Sequence, residues 1–344
     1  MNQPALLQEM EWDAAQLAAD FPPVWRHAHK QAVYKRVLEE GGHPQGRVHL
    51  TRWSMGLLPE EVRLGSCTVR AEPGFFTYST SNAGVWHLNF ADPRLFAAYG
   101  SPLMAQDEWQ VMEHPILGSI REALLHDELP ALTRADGVST PVLVAHVPRQ
   151  CVLDLAGRAA PAKSGLRGWL EGLFGGAVTN LSPLYGNDFG KATLEQVMSA
   201  LTVLKPAVPS NILAISSPTG TGTYTRMQIT DILQTAYNGF VAARLESQRG
   251  KVPASDVEIH TGWWGCGAFG GNRTLMGLLQ ILAAHMAGIG RIILHYGAED
   301  GRVPFGDAMA FLNLVADGSV RTTTSSVIDE VEALHFRWGH SDGN

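Results

Sequence analysis

The chain has 344 residues, of which 45% are hydrophobic and 17% charged, and its formal net charge is −7. This composition predicts a folded chain with a sizeable buried core and excludes a largely disordered protein. The negative charge and the absence of any run of Lys and Arg argue against a polynucleotide as the main ligand, so no nucleic-acid partner is expected. A small anionic nucleotide is still allowed, because it needs only a few local hydrogen-bond donors.

The predicted elements begin with a helical segment at the N-terminus. Helical periodicity runs over residues 5–40 and stops at the turn cluster GGHPQG. We therefore expect residues 1–46 to form a helical extension and residues 47–344 to form the core of the protein.

The first half of this core is predicted to consist mainly of strands. Apolar alternation or short apolar runs predict them over 48–55 and 66–72, twice within 74–92 around a Ser-Asn-Ala-Gly turn, and over 140–147. A helical pattern starts at Asp107 and continues to about Leu129. Residues 155–210 are rich in Gly and Pro, and their weak periodicity predicts no element.

The second half alternates between strands and helices. Strands are predicted over 211–217, 257–261 and 291–296, and helices over 227–247, 273–287, 305–316 and 325–336. Strands that alternate with helices indicate an α/β fold, in which helices cover both faces of a sheet.

Cysteine usage and hydropathy favour a cytoplasmic protein without a membrane span. The three cysteines are odd in number and widely spaced, so they predict neither a disulfide framework nor a zinc site. The N-terminus carries acids where a signal peptide would be basic. The apolar segment 275–288 is interrupted by Gln280 and His285, which predicts a core helix.

The stretch TGWWGCGAFGG, which starts at Thr261, combines a strand end, a glycine-rich loop and a helix start. Asn272 is a good N-cap for the helix that follows. Glycine lets an anion approach the main chain, and backbone N–H groups at a helix start favour negative charge. Trp263, Trp264 and Phe269 add flat surfaces for a ribose or a base. The alternative is a turn that only packs a strand against a helix.

This stretch, continued as NRTLMGLLQILAAHMAG, resembles the signature of the poly(ADP-ribose) glycohydrolase family, TGNWGCGAFGG followed by an apolar helix. ITDILQTAYNGF (229–240) is similar to the family's helix ending in AYCGF, and RIILHYG to its next strand. Upstream, FAD (90–92) and QDE (106–108) stand at the spacing of the family's FAN and QEE. The resemblance covers about residues 48–325 and implies the family's fold, a macrodomain-like mixed sheet flanked by helices.

The resemblance also implies a role for each matching residue. Glu108 stands at the catalytic glutamate, and Asp107 at a second glutamate that helps to hold the ribose. Asp92 replaces an asparagine that touches the same sugar, Gln106 opens the acidic motif as a substrate-binding residue, and Tyr296 packs on the adenosine part. The diphosphate would lie on the loop of Trp264, Gly265, Cys266, Gly267, Ala268, Phe269, Gly270 and Gly271, with Phe269 against the ribose. No metal and no cofactor is implied.

Three departures from the family pattern bear on the substrate. Phe96-Ala97-Ala98 replaces a triple glycine, Trp263 replaces an asparagine, and Asp107 is shorter than the family's glutamate. Side chains at 96–98 are expected to fill space near the distal ribose, where glycine-only backbone angles become costly. We therefore expect a smaller or altered nucleotide as the substrate rather than the polymer.

The chemistry expected at Glu108 is glycosidic cleavage through an oxocarbenium-like state. One acid must protonate the leaving oxygen, and a base must then activate water. A single glutamate can do both in turn if burial or a neighbouring carboxylate raises its pKa. The alternative is an acidic first turn that only stabilises the helix dipole.

Other candidate groups carry weaker signals. Four histidines lie in or beside apolar segments and are expected to be core or boundary residues rather than a metal cluster: His87, His260, His285 and His295. TGTGTYT (219–225) is expected to be a flexible crossover, although a small anion loop is the alternative. Tyr185 is a candidate for an aromatic ring over adenine.

The leading hypothesis is a glycohydrolase that cleaves a ribosyl bond in an ADP-ribose-containing compound. The substrate would be an ADP-ribosyl conjugate, such as an ADP-ribosylated target, or an NAD-derived nucleotide. The alternatives are a non-catalytic module that binds ADP-ribose and a structural remnant with a filled pocket. The discriminating feature is whether Glu108 faces the same cleft as the loop 264–271.

Overall fold

An eight-stranded mixed sheet forms the centre of the molecule. The computed structural model describes residues 3–65, 67–78, 83–155 and 184–341. The strands are β1 (Leu6–Asp13), β2 (Arg47–Trp53), β3 (Thr68–Glu72), β4 (Val85–Phe90), β5 (Arg134–Ala135), β6 (Val138–Ser139), β7 (Val142–Leu153), β8 (Leu201–Ile215), β9 (Glu258–Thr261) and β10 (Arg291–His295). Their order in the sheet is β1-β2-β7-β8-β4-β9-β10-β3, and β5 and β6 form a separate small hairpin.

The sheet has an antiparallel half and a parallel half. β1, β2, β7 and β8 pair antiparallel, whereas β8, β4, β9, β10 and β3 pair parallel. Parallel strands end at the same edge of a sheet, and ligands of open α/β sheets bind outside that edge. The loops that follow β8, β4, β9 and β10 are therefore the place to look for a site.

Nine α-helices in the described ranges pack around this sheet. They are α1 (Ala14–Asp20), α2 (Ala28–Glu39), α3 (Gln106–Glu113), α4 (Ile116–His126), α5 (Leu194–Ser199), α6 (Arg226–Arg249), α7 (Arg273–Ala287), α8 (Arg302–Ala316) and α9 (Thr324–Ala333). None of these described helices combines the length and the apolar character needed to cross a membrane.

Two hydrophobic cores separate the helices into two layers. Along β8, Leu213 and Ile215 enter one core with residues of α6 to α9, while Ile212 and Ala214 enter a second core with residues of α1 to α4. This alternation follows from the two-residue period of a strand, which sends neighbouring side chains to opposite faces. The predicted α/β fold with helices on both faces of a mixed sheet is confirmed.

The N-terminal segment differs from its predicted structure. Residues 6–13 form the edge strand β1, which pairs antiparallel with β2, so the helix predicted there is wrong. In this strand the half-buried residues Gln8, Met10 and Trp12 alternate with exposed ones, because each second side chain packs on the protein. Helices occur only later in this segment, as α1 and α2. The division of the chain at residue 46 stays a prediction.

The structure differs from the sequence prediction in two further segments. Residues 75–78 form no strand, so of the two strands predicted within 74–92 only the second, β4, is found among the described residues. The predicted turn at 81–84 lies partly outside the described residues, as do residues 156–183. In the described remainder of the unassigned region, α5 and the first half of the long strand β8 are found.

Candidate functional site

The candidate site lies at the edge of the sheet where the parallel strands end. Two loops leave this edge: the acidic segment, residues 91–108, which leads from β4 into α3, and the glycine-rich loop, residues 262–272, which leads from β9 to α7. Both are anchored on the carbonyl oxygen of Ile215. This atom accepts a hydrogen bond from Ala91 N at 3.2 Å and another from Trp264 Nε1 at 3.0 Å. The two motifs therefore start from one point of the sheet.

Gln106 fixes the start of α3 to β4. Its Nε2 donates to the carbonyl oxygen of Leu88 at 2.9 Å, and its Oε1 accepts from Phe90 N at 2.7 Å. Both ends of the amide thus bond to the backbone of β4, which orients the residues that follow. The contact between Gln106 and a substrate stays a prediction.

Asp107 and Glu108 lie on the first turn of α3 and are almost fully buried, at 6% and 4% exposure. Asn89 Nδ2 donates to Asp107 Oδ1 at 2.9 Å, and Ala105 N donates to Glu108 Oε2 at 3.1 Å. Burial raises the pKa of both carboxyl groups, and for Asp107 the neighbouring Glu108 adds to the rise. The raised pKa that acid catalysis by Glu108 requires is therefore present, although Glu108 also caps its own helix.

Asp92 completes a cluster of three acids. Its side chain is partly exposed, and its Oδ1 accepts from Arg94 N at 2.9 Å. Its negative charge further raises the pKa of Asp107 and of Glu108, because a like charge nearby disfavours ionisation. The structure thus brings together the three acidic residues predicted from the sequence.

Lys30 and Asn89 belong to this site, but sequence reasoning missed both. Lys30 comes from α2, is fully buried, and donates from Nζ to the carbonyl oxygens of Tyr99 at 2.7 Å and Leu103 at 2.6 Å. A lysine on a helix of mixed polarity is ordinarily solvated, so the pattern contained no signal. Asn89 interrupts the apolar run of β4, and a buried polar residue in such a strand is the one signal that pointed to a partner.

Phe96 keeps a backbone conformation that favours glycine. Its φ is 53°, in the left-handed region, where a residue with a side chain is strained by about 1 kcal/mol. Its ring is fully buried and packs in the second core. The predicted backbone cost of replacing the first glycine of the triplet is confirmed, but the ring is accommodated by the core.

The glycine-rich loop turns tightly through residues that tolerate no side chain. Gly265 and Gly270 have positive φ angles of 74° and 66°. A Cβ at Gly265 would lie 2.5 Å from Ser217 Oγ, and one at Gly271 would lie 2.7 Å from the carbonyl oxygen of Gly265. Glycine is therefore required by both conformation and close packing.

This loop presents donors at the start of α7. The backbone N–H groups of Gly267, Ala268 and Phe269 donate no hydrogen bond to another described residue. The Asn272 side chain accepts from Leu275 N at 3.1 Å, which confirms it as the N-cap. Consecutive unpaired N–H groups beside a helix start form a favourable environment for an anion.

The two tryptophans of the loop have structural roles. Trp264 is 1% exposed, so the prediction that its ring offers a flat surface to a ligand is wrong. Its Nε1 donates to the carbonyl oxygen of Ile215, and its ring belongs to the first hydrophobic core. Trp263 is half-buried, and its Nε1 donates to the carbonyl oxygen of Tyr296 at 3.0 Å, which joins the loop to the residue expected beside adenosine. Cys266 and Phe269 are half-buried, and Tyr296 is 8% exposed.

Three of the four histidines lie together on one face of the parallel strands. The rings of His87 and His260 stack with centroids 4.8 Å apart, and His260 Nδ1 lies 2.9 Å from His295 Nε2. All three are buried, as expected for core residues, and burial lowers the pKa of His87 and of His295. In the described part of the chain, no group of three or more His, Cys, Asp or Glu side chains is arranged to hold a metal ion.

The TGTGTYT segment braces the glycine-rich loop. Tyr224 Oη accepts from Asn272 N at 2.9 Å, and the Trp338 ring stacks on Tyr224 with centroids 4.1 Å apart. Next to Trp338, Gly339 N donates to the carbonyl oxygen of Gly270 at 2.7 Å. Tyr224 therefore supports the loop, whereas most of the segment is exposed and its flexibility stays a prediction. Tyr185 stacks on Phe75 at 5.8 Å, and its place over adenine stays a prediction.

Residues 210–302 match the family described as poly(ADP-ribose) glycohydrolase (PARG), Macro domain fold. Over these residues, the chain is similar to that family. The match includes the whole glycine-rich loop, whereas the acidic segment lies outside it. The macrodomain-like fold predicted from the resemblance is thereby confirmed.

Solved PARG structures show a distant likeness to this chain. The enzyme from Thermomonospora curvata is 14% identical, over 88% of this chain and 84% of that one, with a TM-score of 0.39. The enzyme from Deinococcus radiodurans, solved in complex with ADP-ribose, is 12% identical over 88% and 95% of the two chains, with a TM-score of 0.39. At these values the likeness adds nothing to the family match. A search of curated protein sequences found no match.

Proposed function

We propose that this protein is a glycohydrolase that cleaves a ribosyl glycosidic bond in an ADP-ribose-containing compound, with Glu108 as the acid and base. The observation that carries the proposal is the common anchor of the two motifs on Ile215. It supports the proposal because a loop suited to a diphosphate adjoins a segment that carries two buried acids and the partly exposed Asp92. This is the combination that cleavage of an ADP-ribosyl bond requires.

The glycine-rich loop would hold the diphosphate. The N–H groups of Gly267, Ala268 and Phe269, which have no hydrogen-bond partner in the described part of the chain, would donate to phosphate oxygens at the start of α7. The solved Deinococcus radiodurans PARG binds ADP-ribose. We extend that ligand class to this chain because its own loop supplies the donors.

Glu108 would act first as an acid and then as a base. Burial raises the pKa of Glu108, which favours the protonated carboxyl group, and this group would give its proton to the leaving oxygen as the bond to the ribose C1 breaks. The resulting Glu108 carboxylate would take a proton from the water that adds to C1, which restores the acid. Asp107 and Asp92 would hold the ribose hydroxyl groups.

The substrate is proposed to be small. Phe96, Ala97 and Ala98 stand where the family has three glycines. The Phe96 ring is buried in the second core, so the size argument depends on the half-buried Ala97 and Ala98, whose Cβ atoms leave less backbone exposed to a bulky chain of ADP-ribose units. An ADP-ribosyl conjugate or an NAD-derived nucleotide would therefore be preferred to the polymer.

The test is a turnover assay with purified protein on three substrates: an ADP-ribosylated peptide, NAD and poly(ADP-ribose). Release of ADP-ribose is followed by chromatography, with Glu108→Gln as the inactive control. We expect turnover of one small substrate and slow attack on the polymer. The absence of turnover on all three substrates would contradict the proposed enzyme activity. Polymer cleavage at the rate of an authentic PARG would contradict the proposal that the substrate is small.

A second candidate function is a non-catalytic module that binds ADP-ribose. The observation that favours it is the 4% exposure of Glu108, one of whose oxygens is occupied by Ala105 N. Calorimetry with ADP-ribose separates the two functions. Binding without turnover on any of the three substrates would establish the module.

A further inference from the structure

Lys30 is a buried cation whose role the proposed mechanism leaves open. It has no exposed surface, and an ammonium group removed from water needs strong acceptors. Two carbonyl oxygens provide them, those of Tyr99 and Leu103, at 2.7 and 2.6 Å. Both belong to the acidic segment, so a residue of α2 holds the piece of chain that leads to Glu108.

The contacts of Lys30 explain how this segment keeps its shape. Tyr99 lies between Asp92 and the two acids of α3, and Leu103 comes three residues before Gln106. An ammonium group that donates to both carbonyls fixes their separation. The segment is thereby held at its middle, while the Ala91 N bond to Ile215 holds its start.

Lys30 also supplies positive charge to a cluster of acids. Burial raises the pKa of Glu108, and Lys30 is the largest influence in the opposite direction. Asp92 and Asp107 are the acids that accompany Glu108, and the charge of Asp107 also reaches Arg121, which donates to the carbonyl oxygen of Leu95. On the side of α2, His27 and His29 lie beside Lys30.

We propose that Lys30 is a positioning residue for Glu108, which it serves by clamping the acidic segment and by placing a positive charge beside the carboxyl group. The inference rests on the proposed function of Glu108. A group that is an acid in one step and a base in the next works best when both protonation states are accessible near the working pH. Without the cation, a buried glutamate among two other acids would keep its proton and could not activate water.

Two variants separate the clamp from the charge. Lys30→Met removes the charge and the donors, whereas Lys30→Gln removes the charge and keeps an N–H donor. We expect the pKa of Glu108, followed by side-chain carboxyl NMR, to rise by about one unit or more in both variants. Val37→Ala, a fully buried change on the same helix, is the control, because it weakens packing without altering charge. Its Glu108 titration should match the wild type.

A reciprocal measurement needs no change at Lys30. Coupling between two groups acts equally in both directions, so Glu108→Gln should lower the pKa of the Lys30 ammonium, followed by NMR of labelled lysine. This measurement tests the proposed coupling between Lys30 and Glu108 even if both Lys30 variants fail to fold. An unchanged Lys30 titration in Glu108→Gln, or an unchanged Glu108 titration in a folded Lys30 variant, would overturn the inference.

These measurements require no turnover, so they stand apart from the proposed function. Loss of that function would appear as wild-type protein that neither binds ADP-ribose nor cleaves a substrate, with the coupling intact. If turnover is found, Lys30→Gln should lower kcat more than it raises KM. Its activity should also recover toward higher pH, where the raised pKa of Glu108 again allows the carboxylate to form. A merely structural residue would leave the pH profile in place.

Discussion

The glycine-rich loop and the acidic segment adjoin each other, but their chemistry arises in different ways. In the proposed function the loop would bind its ligand through backbone N–H groups, and its shape depends on glycines such as Gly265 and Gly271 that the sequence displays. The acidic segment would act through carboxyl groups, and the pKa of Glu108 depends on burial and on Lys30 from a distant helix. The family match, residues 210–302, includes the glycine-rich loop but not the acidic segment. A backbone site is encoded locally, whereas the pKa of a buried acid is set by its tertiary neighbours.

The largest effect is expected from neutralising the acid. Glu108→Gln keeps the shape but removes the transferable proton, so kcat should fall by roughly 10²–10⁴. ADP-ribose affinity should change little, because the diphosphate contacts lie on the other region. The measurements are steady-state kinetics on the accepted substrate and calorimetry with ADP-ribose.

Two comparisons sharpen this prediction. Asp107→Asn should be milder, since its proposed role is to hold the sugar. Glu246→Gln, which neutralises another buried glutamate at the far end of α6, should leave kcat unchanged. A larger loss of kcat in Asp107→Asn than in Glu108→Gln would identify Asp107 as the catalytic acid. Full activity in both variants would mean that these residues only form a charged helix start.

Substitution of Trp264 tests whether the glycine-rich loop also contributes to the hydrophobic core. Trp264→Ala removes a fully buried indole and should lower the free energy of unfolding by about 3–5 kcal/mol, measured by chemical denaturation. Trp264→Phe, which loses mainly the bond to Ile215, should cost about 1 kcal/mol. A small effect of the alanine variant would mean that the ring is not a core element.

A bulky side chain beside the backbone donors of the glycine-rich loop should weaken ligand binding. Gly267→Val places a branched side chain beside the free N–H groups and should weaken ADP-ribose binding by at least about 1.4 kcal/mol, or tenfold. Calorimetry gives the affinity, and thermal unfolding confirms the fold. Gly306→Val, at an open position on α8, is the matched control. Unchanged affinity in Gly267→Val would remove the diphosphate from this loop.

The smallest effect is a pH dependence of stability that arises in the acidic segment. Burial and Glu108 raise the pKa of Asp107 to about 8, so between pH 4 and 8 the folded state retains a proton that the unfolded chain has lost. Stability contributed by this group is therefore present at low pH and is lost as pH rises through that window. Asp107→Asn should reduce the fall in unfolding free energy between pH 5 and pH 8 by about 1 kcal/mol or more. An unchanged slope would show that Asp107 ionises normally.

Most strands and helices could be predicted from local pattern. The α7 helix, its Asn272 cap and the buried strands of the parallel half were evident, because each packs one regular face on the sheet. Residues 6–13 were misassigned, since a short stretch of mixed polarity fits a helix and an edge strand alike until its pairing with β2 is known. The first half of β8 escaped prediction because its residues alternate poorly.

The α/β fold, the glycine-rich loop and the acidic residues could be recognised from the chain alone, because each depends on residue types at short spacing. The packing of distant segments sets the surroundings of these groups. It buried Trp264, placed Phe96 in the second core, and brought Asn89 and Lys30 to the acids from elements that the sequence leaves apart. Burial and charge are sums over all neighbours in space, so the environment of Glu108 exists only in the folded protein.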